Sequence, residues 1–174
     1  MAKSNITHLT YNIVVMGDPY CGKSSIIERY TRGKYGPNYL QTIGSEYSKK
    51  ELVIDGNPIV LYVYDTAGQE DMRTVIKSVY RKAQNCDITP ELVLVGNKVD
   101  LEDFKVTSLD VKTFEESHDM PVLAVSAKKN HNIDEAFDML SKQIFANRKR
   151  LYPGNMVTSI RVDQKQKQQS SCCT

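Results

Sequence analysis

Apolar and polar positions along the chain follow two alternating periods, which predict strands and helices in turn. Residues 11–16 form a short apolar segment, and residues 24–31 follow with apolar positions at helical spacing. Residues 45–54 and 58–64 are predicted strands. The intervening Asp55-Gly56-Asn57 contains an Asp-Gly pair, which favours a tight hairpin turn.

The pattern continues with a charged helix over residues 70–81, a buried parallel-type strand over 92–95, a helix over 108–117 and a strand over 122–125. A last helix is predicted from an apolar stripe assigned to the core, which consists of Ile133, Ala136, Phe137, Leu140 and Ile144. Strands that alternate with helices indicate an α/β domain, mainly parallel with one antiparallel hairpin.

Composition adds the domain organisation. The chain has 174 residues, which suffices for one domain with a core, and we place that domain at residues 1–150. Residues 151–174 become polar and rich in Gln and Lys, so they are predicted to form a flexible tail.

Charge and cysteine content exclude several classes of protein. A net charge of +2 is too small to indicate nucleic acid as a partner. The longest apolar run falls short of the ~20 residues that a membrane span needs, and the amino end lacks a secretory signal. The 4 cysteines have neither disulfide-framework nor zinc spacing. We therefore expect a chain that is made and kept in the cytosol.

A glycine-framed loop carries the first candidate chemistry. Residues 17–24, GDPYCGKS, lie between the first predicted strand and helix. Gly17 and Gly22 permit a backbone path on which successive N–H groups point at phosphate oxygens, and the helix adds its positive end. Lys23 can reach the outer phosphates and the Ser24 hydroxyl can bind magnesium. Alone, this pattern fits ATP or GTP.

A second group of residues follows the strand that ends at residue 64. Asp65 can hold magnesium through water, Gly68 can offer its N–H to a terminal phosphate, and Gln69 can orient an attacking water. Thr42, in a polar loop, can add a second hydroxyl to the metal.

A third group, residues 97–100 (NKVD), predicts the base preference. The Asp100 carboxylate can accept two N–H bonds from guanine, whereas adenine lacks the 2-amino group. Asn97 can bridge loops and the Lys98 stem can lie over the base. Residues 126–128 can supply a backbone N–H to the guanine oxygen.

Together these motifs resemble the small GTPases of the Ras superfamily, and within it the Rab branch. The match covers about residues 9–150 and includes all five guanine-nucleotide motifs in order. It implies the P-loop NTPase three-layer fold, GTP or GDP and Mg²⁺ as ligands, Gln69 as the catalytic residue, and Ser24, Thr42 and Asp65 as metal ligands. The nucleotide-binding residues that it implies are Gly17, Asp18, Tyr20, Cys21, Gly22, Lys23, Ser24, Ser25, Tyr35, Thr42, Asp65, Gly68, Asn97, Lys98, Asp100, Ser126, Ala127 and Lys128.

The carboxyl end resembles the paired-cysteine endings of Rab proteins. The resemblance implies that Cys172 and Cys173 each receive a geranylgeranyl group; one lipid alone gives only marginal membrane binding. The resemblance implies a monomer that cycles between cytosol and the cytoplasmic face of an intracellular membrane in vesicle trafficking. Its expected partners are the prenylation machinery and, through residues 42–47 and 68–80, effectors, exchange factors and activating proteins.

The chain departs from the family pattern between Arg81 and Leu92. Asp65 and Asn97 are 32 residues apart, which is about one strand–helix unit shorter than is usual in the family. The fourth strand and the following helix are therefore predicted to be missing. If the neighbouring strand moved into the place of the missing strand, the base pocket would be displaced by about 4.8 Å, one strand spacing. If that place stayed open, the backbone groups on both sides of it would be unpaired. In the phosphate loop, Pro19 and Tyr20 replace small residues and are expected to hinder assisted hydrolysis.

Three functions remain open on the sequence alone. The first is a GTPase switch that hydrolyses GTP slowly. The second is a lipid-anchored pseudo-GTPase that binds partners with impaired nucleotide binding. The third is an ATP-using P-loop enzyme, which Asp100 opposes.

Overall fold

A computed structural model describes residues 9–36, 46–66, 90–103 and 106–152. The helix predicted over residues 70–81 and nearly all of the predicted tail lie outside these ranges. The described elements are β1 (Leu9–Val15), α1 (Lys23–Arg32), β2 (Glu46–Ile54), β3 (Asn57–Asp65), β4 (Leu94–Gly96), α2 (Ser108–His118), β5 (Val122–Ala124) and α3 (Ile133–Leu151).

The first three strands form a mixed sheet in the order β1-β3-β2. β1 runs parallel to β3, and β2 runs antiparallel to it. The predicted hairpin is confirmed: Ile54 lies opposite Asn57, and the two turn residues, Asp55 and Gly56, have φ of 49° and 76°. Such positive φ values are those of the two-residue turn that matches strand twist.

β4 and β5 form a second, two-stranded parallel sheet. Among the described residues no strand pairing joins β4 to β1, so the described strands fall into two sheets. The predicted α/β class, with parallel strands and one antiparallel hairpin, is confirmed. The break between the sheets falls where the sequence predicts a missing strand.

One hydrophobic core serves both sheets. Burial alternates along β1, and its inward residues pack with α1 and α3, where the rings of Tyr30 and Phe137 stack at 3.8 Å between centroids. Leu123 and Val125 bring β5 and the loop after it into the same cluster. The two sheets are therefore held together by packing against shared helices.

β4 differs from its prediction as a strand buried on both faces. Val93 and Val95 pack against the core, but Leu92 and Leu94 remain 41% and 40% exposed. Consecutive side chains of extended backbone point to opposite faces. The described elements cover only the face on which the two valines lie.

The predicted stripe of α3 packs in the core, but its most buried positions differ from the predicted ones toward the carboxyl end. Leu140 and Ile144 are only partly buried, whereas Ser141 and Phe145 are buried and were not predicted. Beyond Phe137 the buried residues recur every four positions along the helix. The predicted stripe continued through Leu140 and Ile144 instead, each one residue before a buried position. No helix within the described ranges is long and apolar enough to cross a bilayer.

Candidate nucleotide-binding site

The glycine-framed loop connects β1 to α1, as predicted. Gly22 precedes the first helical residue with φ of +95°, and its carbonyl accepts the Ile26 N–H at 3.0 Å. A Cβ at Gly22 would lie 2.4 Å from Asn97 Nδ2. Glycine is therefore required here both by backbone conformation and by the close approach of Asn97.

Lys23 lies in the floor of this loop with only 6% of its surface exposed. Its ammonium donates to the carbonyl oxygens of Gly17 at 3.0 Å and Asp18 at 2.9 Å. An ammonium has three donors, and in the described part of the chain Lys23 forms no ion pair with a carboxylate. Within the described residues these two carbonyls use two of the three donors, which leaves one for a further acceptor.

The magnesium candidates that the structure describes lie beside this loop. Asp65 ends β3 directly opposite Val15, the last residue of β1, so the carboxylate and the glycine-framed loop share one edge of the sheet. Thr66 Oγ1 donates a hydrogen bond to the Val15 carbonyl at 3.1 Å, which joins the carboxyl ends of β3 and β1. Ser24 follows Lys23 in the first turn of α1. Carboxylate and hydroxyl oxygens suit Mg²⁺.

Asn97 connects three loops. Its Nδ2 donates to the Cys21 carbonyl at 2.9 Å, and its Oδ1 accepts the Ala127 N–H at 3.2 Å. Lys98 Nζ adds a bond to the Tyr20 carbonyl at 2.7 Å. These contacts join residues 17–24, the predicted phosphate loop, directly to residues 97–100 and 126–128, the two predicted base loops, although β1 and β4 are not paired in the described residues.

Asp100 lies in a charged and hydrogen-bonded setting. Its side chain is 7% exposed, Oδ1 accepts from Ser126 Oγ at 2.6 Å, and Oδ2 lies 4.0 Å from Lys128 Nζ. The Ser126 hydrogen bond holds the pKa of the Asp100 carboxyl below its ordinary value. The group is therefore ionised near neutral pH, and its remaining lone pairs can accept further N–H donors.

The loop at residues 126–128, predicted to supply a backbone N–H to guanine, uses most of its neighbouring backbone donors within the protein. The Ser126 N–H bonds to the His131 carbonyl, the Ala127 N–H to Asn97, and the Lys129 N–H to Ser126 Oγ. Within the described residues only the Lys128 N–H of this loop has no protein acceptor. The Lys128 N–H is therefore the one that stays available for the predicted bond to the guanine oxygen.

Arg29 contacts predicted site residues although no motif in the sequence indicates it. It lies in the last turn of α1, and its guanidinium donates to the Ala127 carbonyl at 2.9 Å. The guanidinium carbon is 5.7 Å from the ring centroid of Tyr35, one of the predicted nucleotide-binding residues. Its two carbonyl acceptors in the loop at residues 126–128 lie 98 and 99 positions away along the chain, so no local spacing indicates them.

Two predicted residues differ in their setting from the rest. Tyr20 is 67% exposed and has φ of 63°, an uncommon conformation for a bulky residue. Cys21 is a partly buried free thiol. The predicted residues Thr42, Gly68, Gln69, Cys172 and Cys173 lie outside the described ranges.

Comparison with known proteins identifies the family. The model of the Ras family matches residues 12–89 and 85–146 as two segments, which meet where the strand–helix unit is predicted to be missing. The chain belongs to the Ras family, as an internally shortened, Rab-like small GTPase.

Several Rab proteins are similar over most of their length. Human Ras-related protein Rab-9B is 31% identical in an alignment that covers 95% of this chain and 98% of that protein. Ras-related protein Rab-1 of Theileria annulata is 32% identical, covering 86% and 80% respectively. Ras-related protein RABA5c of Arabidopsis thaliana is 31% identical, covering 79% and 77%. The resemblance inferred from the motifs is confirmed.

Proposed function

We propose that this chain binds GTP and GDP with Mg²⁺ and acts as a Rab-type molecular switch in vesicle trafficking. The observation that carries the proposal is the contact between the phosphate and base loops through Asn97 and Lys98. A nucleotide must meet both loops at once. Loops that are hydrogen-bonded to each other, across the break between the sheets, favour a shared ligand.

Asp100 supports guanine over adenine. An ionised carboxylate accepts hydrogen bonds only, and the guanine edge presents two adjacent N–H donors. An adenine at the same place would leave the 7%-exposed carboxylate without those donors, which is a costly mismatch. This argument disfavours the ATP-using enzyme as the function.

The chain's own residues divide the remaining tasks. Lys23 would hold the outer phosphates, and Ser24 and Asp65, with Thr42, would hold Mg²⁺. Bound there, the metal ion would neutralise charge that develops on the phosphate oxygens. Gln69 would orient the attacking water. The bulk of Tyr20, exposed at the mouth of the phosphate loop, supports slow hydrolysis and weak stimulation by an activating protein.

Regulators and effectors are the partner types that the Rab family implies. We propose that effectors contact the face of β2 and β3, where the rings of Tyr62 and Tyr64 lie 5.5 Å and 5.8 Å from that of exposed Tyr47. Exposed aromatic clusters are common in binding surfaces. Prenylation of Cys172 and Cys173 would hold the domain at a membrane.

One observation favours a second candidate, the lipid-anchored pseudo-GTPase. The two described sheets are not paired, and Leu92 and Leu94 beside the break are exposed. A domain of this kind would have a lower affinity for nucleotide than a continuous sheet supports.

Nucleotide content separates the two candidates. The full chain is purified without added nucleotide in parallel with Asp100→Ala and the control Asp103→Ala, which removes a nearby exposed carboxylate. Each is denatured and the released nucleotide is quantified by ion-exchange chromatography. The switch predicts about one GDP per chain, retained in Asp103→Ala and lost in Asp100→Ala. The pseudo-GTPase predicts no GDP in any of the three and a melting temperature that excess GDP does not raise.

A further inference from the structure

Arg29 is hydrogen-bonded to the backbone of the base loop at residues 126–128, and the nucleotide-binding motifs do not require this contact. Its Nε donates to the Ala127 carbonyl at 2.9 Å and its Nη2 to the Lys128 carbonyl at 3.4 Å. Nη1 donates to the Gly33 carbonyl at 2.9 Å, at the carboxyl end of the same helix. One guanidinium thus fastens the end of α1 to two successive carbonyls of the base loop.

The Ala127 carbonyl belongs to the same peptide group as the Lys128 N–H. That N–H is the donor of the 126–128 loop left without a protein acceptor in the described residues. A cation that bonds to a peptide oxygen polarises the peptide and strengthens the bond that its N–H donates on the other side. Arg29 therefore fixes the direction of this N–H and increases its strength as a donor.

We propose that Arg29 is a positioning residue for guanine recognition. It orients the Ala127–Lys128 peptide so that the Lys128 N–H bonds to the 6-oxo group of the base. This inference rests on the proposed guanine-nucleotide function and assigns to one part of the base a residue outside the motifs.

A second contact has the same effect on the base pocket. The Arg29 guanidinium carbon lies 5.7 Å from the ring centroid of Tyr35, within the range of a cation–π contact. No strand pairing joins β1 to β4 in the described part of the chain, so side-chain contacts such as this carry more of the alignment. Arg29 thereby links two sides of the base pocket through one planar group.

The test compares three ligands on matched variants. GDP has the 6-oxo group, 6-thio-GDP replaces it with sulfur, a weaker acceptor, and IDP keeps it but lacks the 2-amino group. Arg29→Gln removes the fork and the charge. Arg32→Gln is the control, because Arg32 lies in the same turn and forms only an exposed ion pair with Glu28 at 3.5 Å. Affinities are measured by isothermal titration with Mg²⁺ present.

Arg29→Gln is expected to weaken GDP and IDP about tenfold each, and 6-thio-GDP less than about threefold. The preference for GDP over IDP, which Asp100 determines, is expected to stay constant while the preference over 6-thio-GDP falls. Equal weakening of all three ligands would assign Arg29 a merely structural role and overturn the proposal, as would unchanged affinities.

Two further comparisons keep the result interpretable. If Arg29→Gln does not fold, Arg29→Lys, which keeps the charge and loses the planar fork, is expected to show the same selective loss at smaller size. Wild-type protein that binds GDP no better than ADP would refute the proposed function itself. Wild-type protein that binds GDP specifically, with variants that keep the 6-oxo preference, would refute the role of Arg29 alone.

Discussion

Replacement of Gly22 by alanine perturbs the contact between the two loops with the smallest possible side chain. The added Cβ would lie 2.4 Å from Asn97 Nδ2, which must move. That movement breaks two hydrogen bonds of the Asn97 side chain: the one that Nδ2 donates to the Cys21 carbonyl and the one that Oδ1 accepts from the Ala127 N–H. At about 1 kcal/mol for each hydrogen bond, the loss is about 2 kcal/mol. This corresponds to roughly a 30-fold weaker affinity for GDP.

The backbone contribution can be separated with Gly33. Gly22 and Gly33 both have positive φ, of 95° and 66°, so alanine at either costs about 1 kcal/mol in backbone conformation. Among the described residues, no atom beyond the chain neighbours of Gly33 lies within 4 Å of a Cβ built there. Gly33→Ala is therefore expected to lower the melting temperature while GDP affinity changes less than about twofold.

The assay is equilibrium titration of GDP with Mg²⁺, accompanied by thermal melting of each nucleotide-free variant. Gly22→Ala should lose both stability and affinity, whereas Gly33→Ala should lose stability alone. Equal GDP affinities in the two variants would refute the conclusion that Asn97 aligns the loops.

Three further predictions concern Asp100, Ser126 and Thr107. Asp100→Asn replaces an acceptor by a donor, so it should weaken GDP and strengthen xanthosine diphosphate, measured by competition; an unchanged order would contradict the assigned base contact. Because the pKa of Asp100 is lowered in the folded protein, its contribution to folding stability is complete above the ordinary carboxyl pKa. That contribution is lost as pH falls through the lower folded pKa. In Ser126→Ala that pKa rises, so GDP affinity measured against pH should begin to fall at a higher pH than in the wild type. Thr107→Ala removes the capping box with Asp110 and should cost α2 about 1 kcal/mol in stability, seen by denaturant melting, while GDP affinity stays constant.

The fold was predictable wherever a local pattern decides the structure. The Asp55-Gly56 pair specified the hairpin, because its positive φ values match a two-residue turn. The four apolar residues that precede Gly96 were harder to interpret. A continuous apolar run does not tell whether both faces of a strand are covered, and here Leu92 and Leu94 are exposed.

The candidate site shows the same division. Lys23, Asn97 and Asp100 were predicted because phosphate and base chemistry require these residue types in fixed short motifs. Arg29 was not predicted, because its hydrogen bonds to the loop at residues 126–128 are to backbone carbonyls 98 and 99 positions away, which any residue could supply. A hydrogen bond to a backbone carbonyl does not constrain the side chain of the accepting residue. Such a contact therefore cannot be inferred from the sequence and is found only in the structure.

The central claim is that one ligand contacts both loops at once, and titration with parts of that ligand tests it most directly. Guanosine contains only the base half of the interaction and pyrophosphate only the phosphate half, whereas GDP joins the two. If the loops are aligned, GDP should bind more than about a thousandfold more tightly than either part, because linkage makes the second contact intramolecular. GDP that binds no more tightly than the better of its two parts would contradict the account.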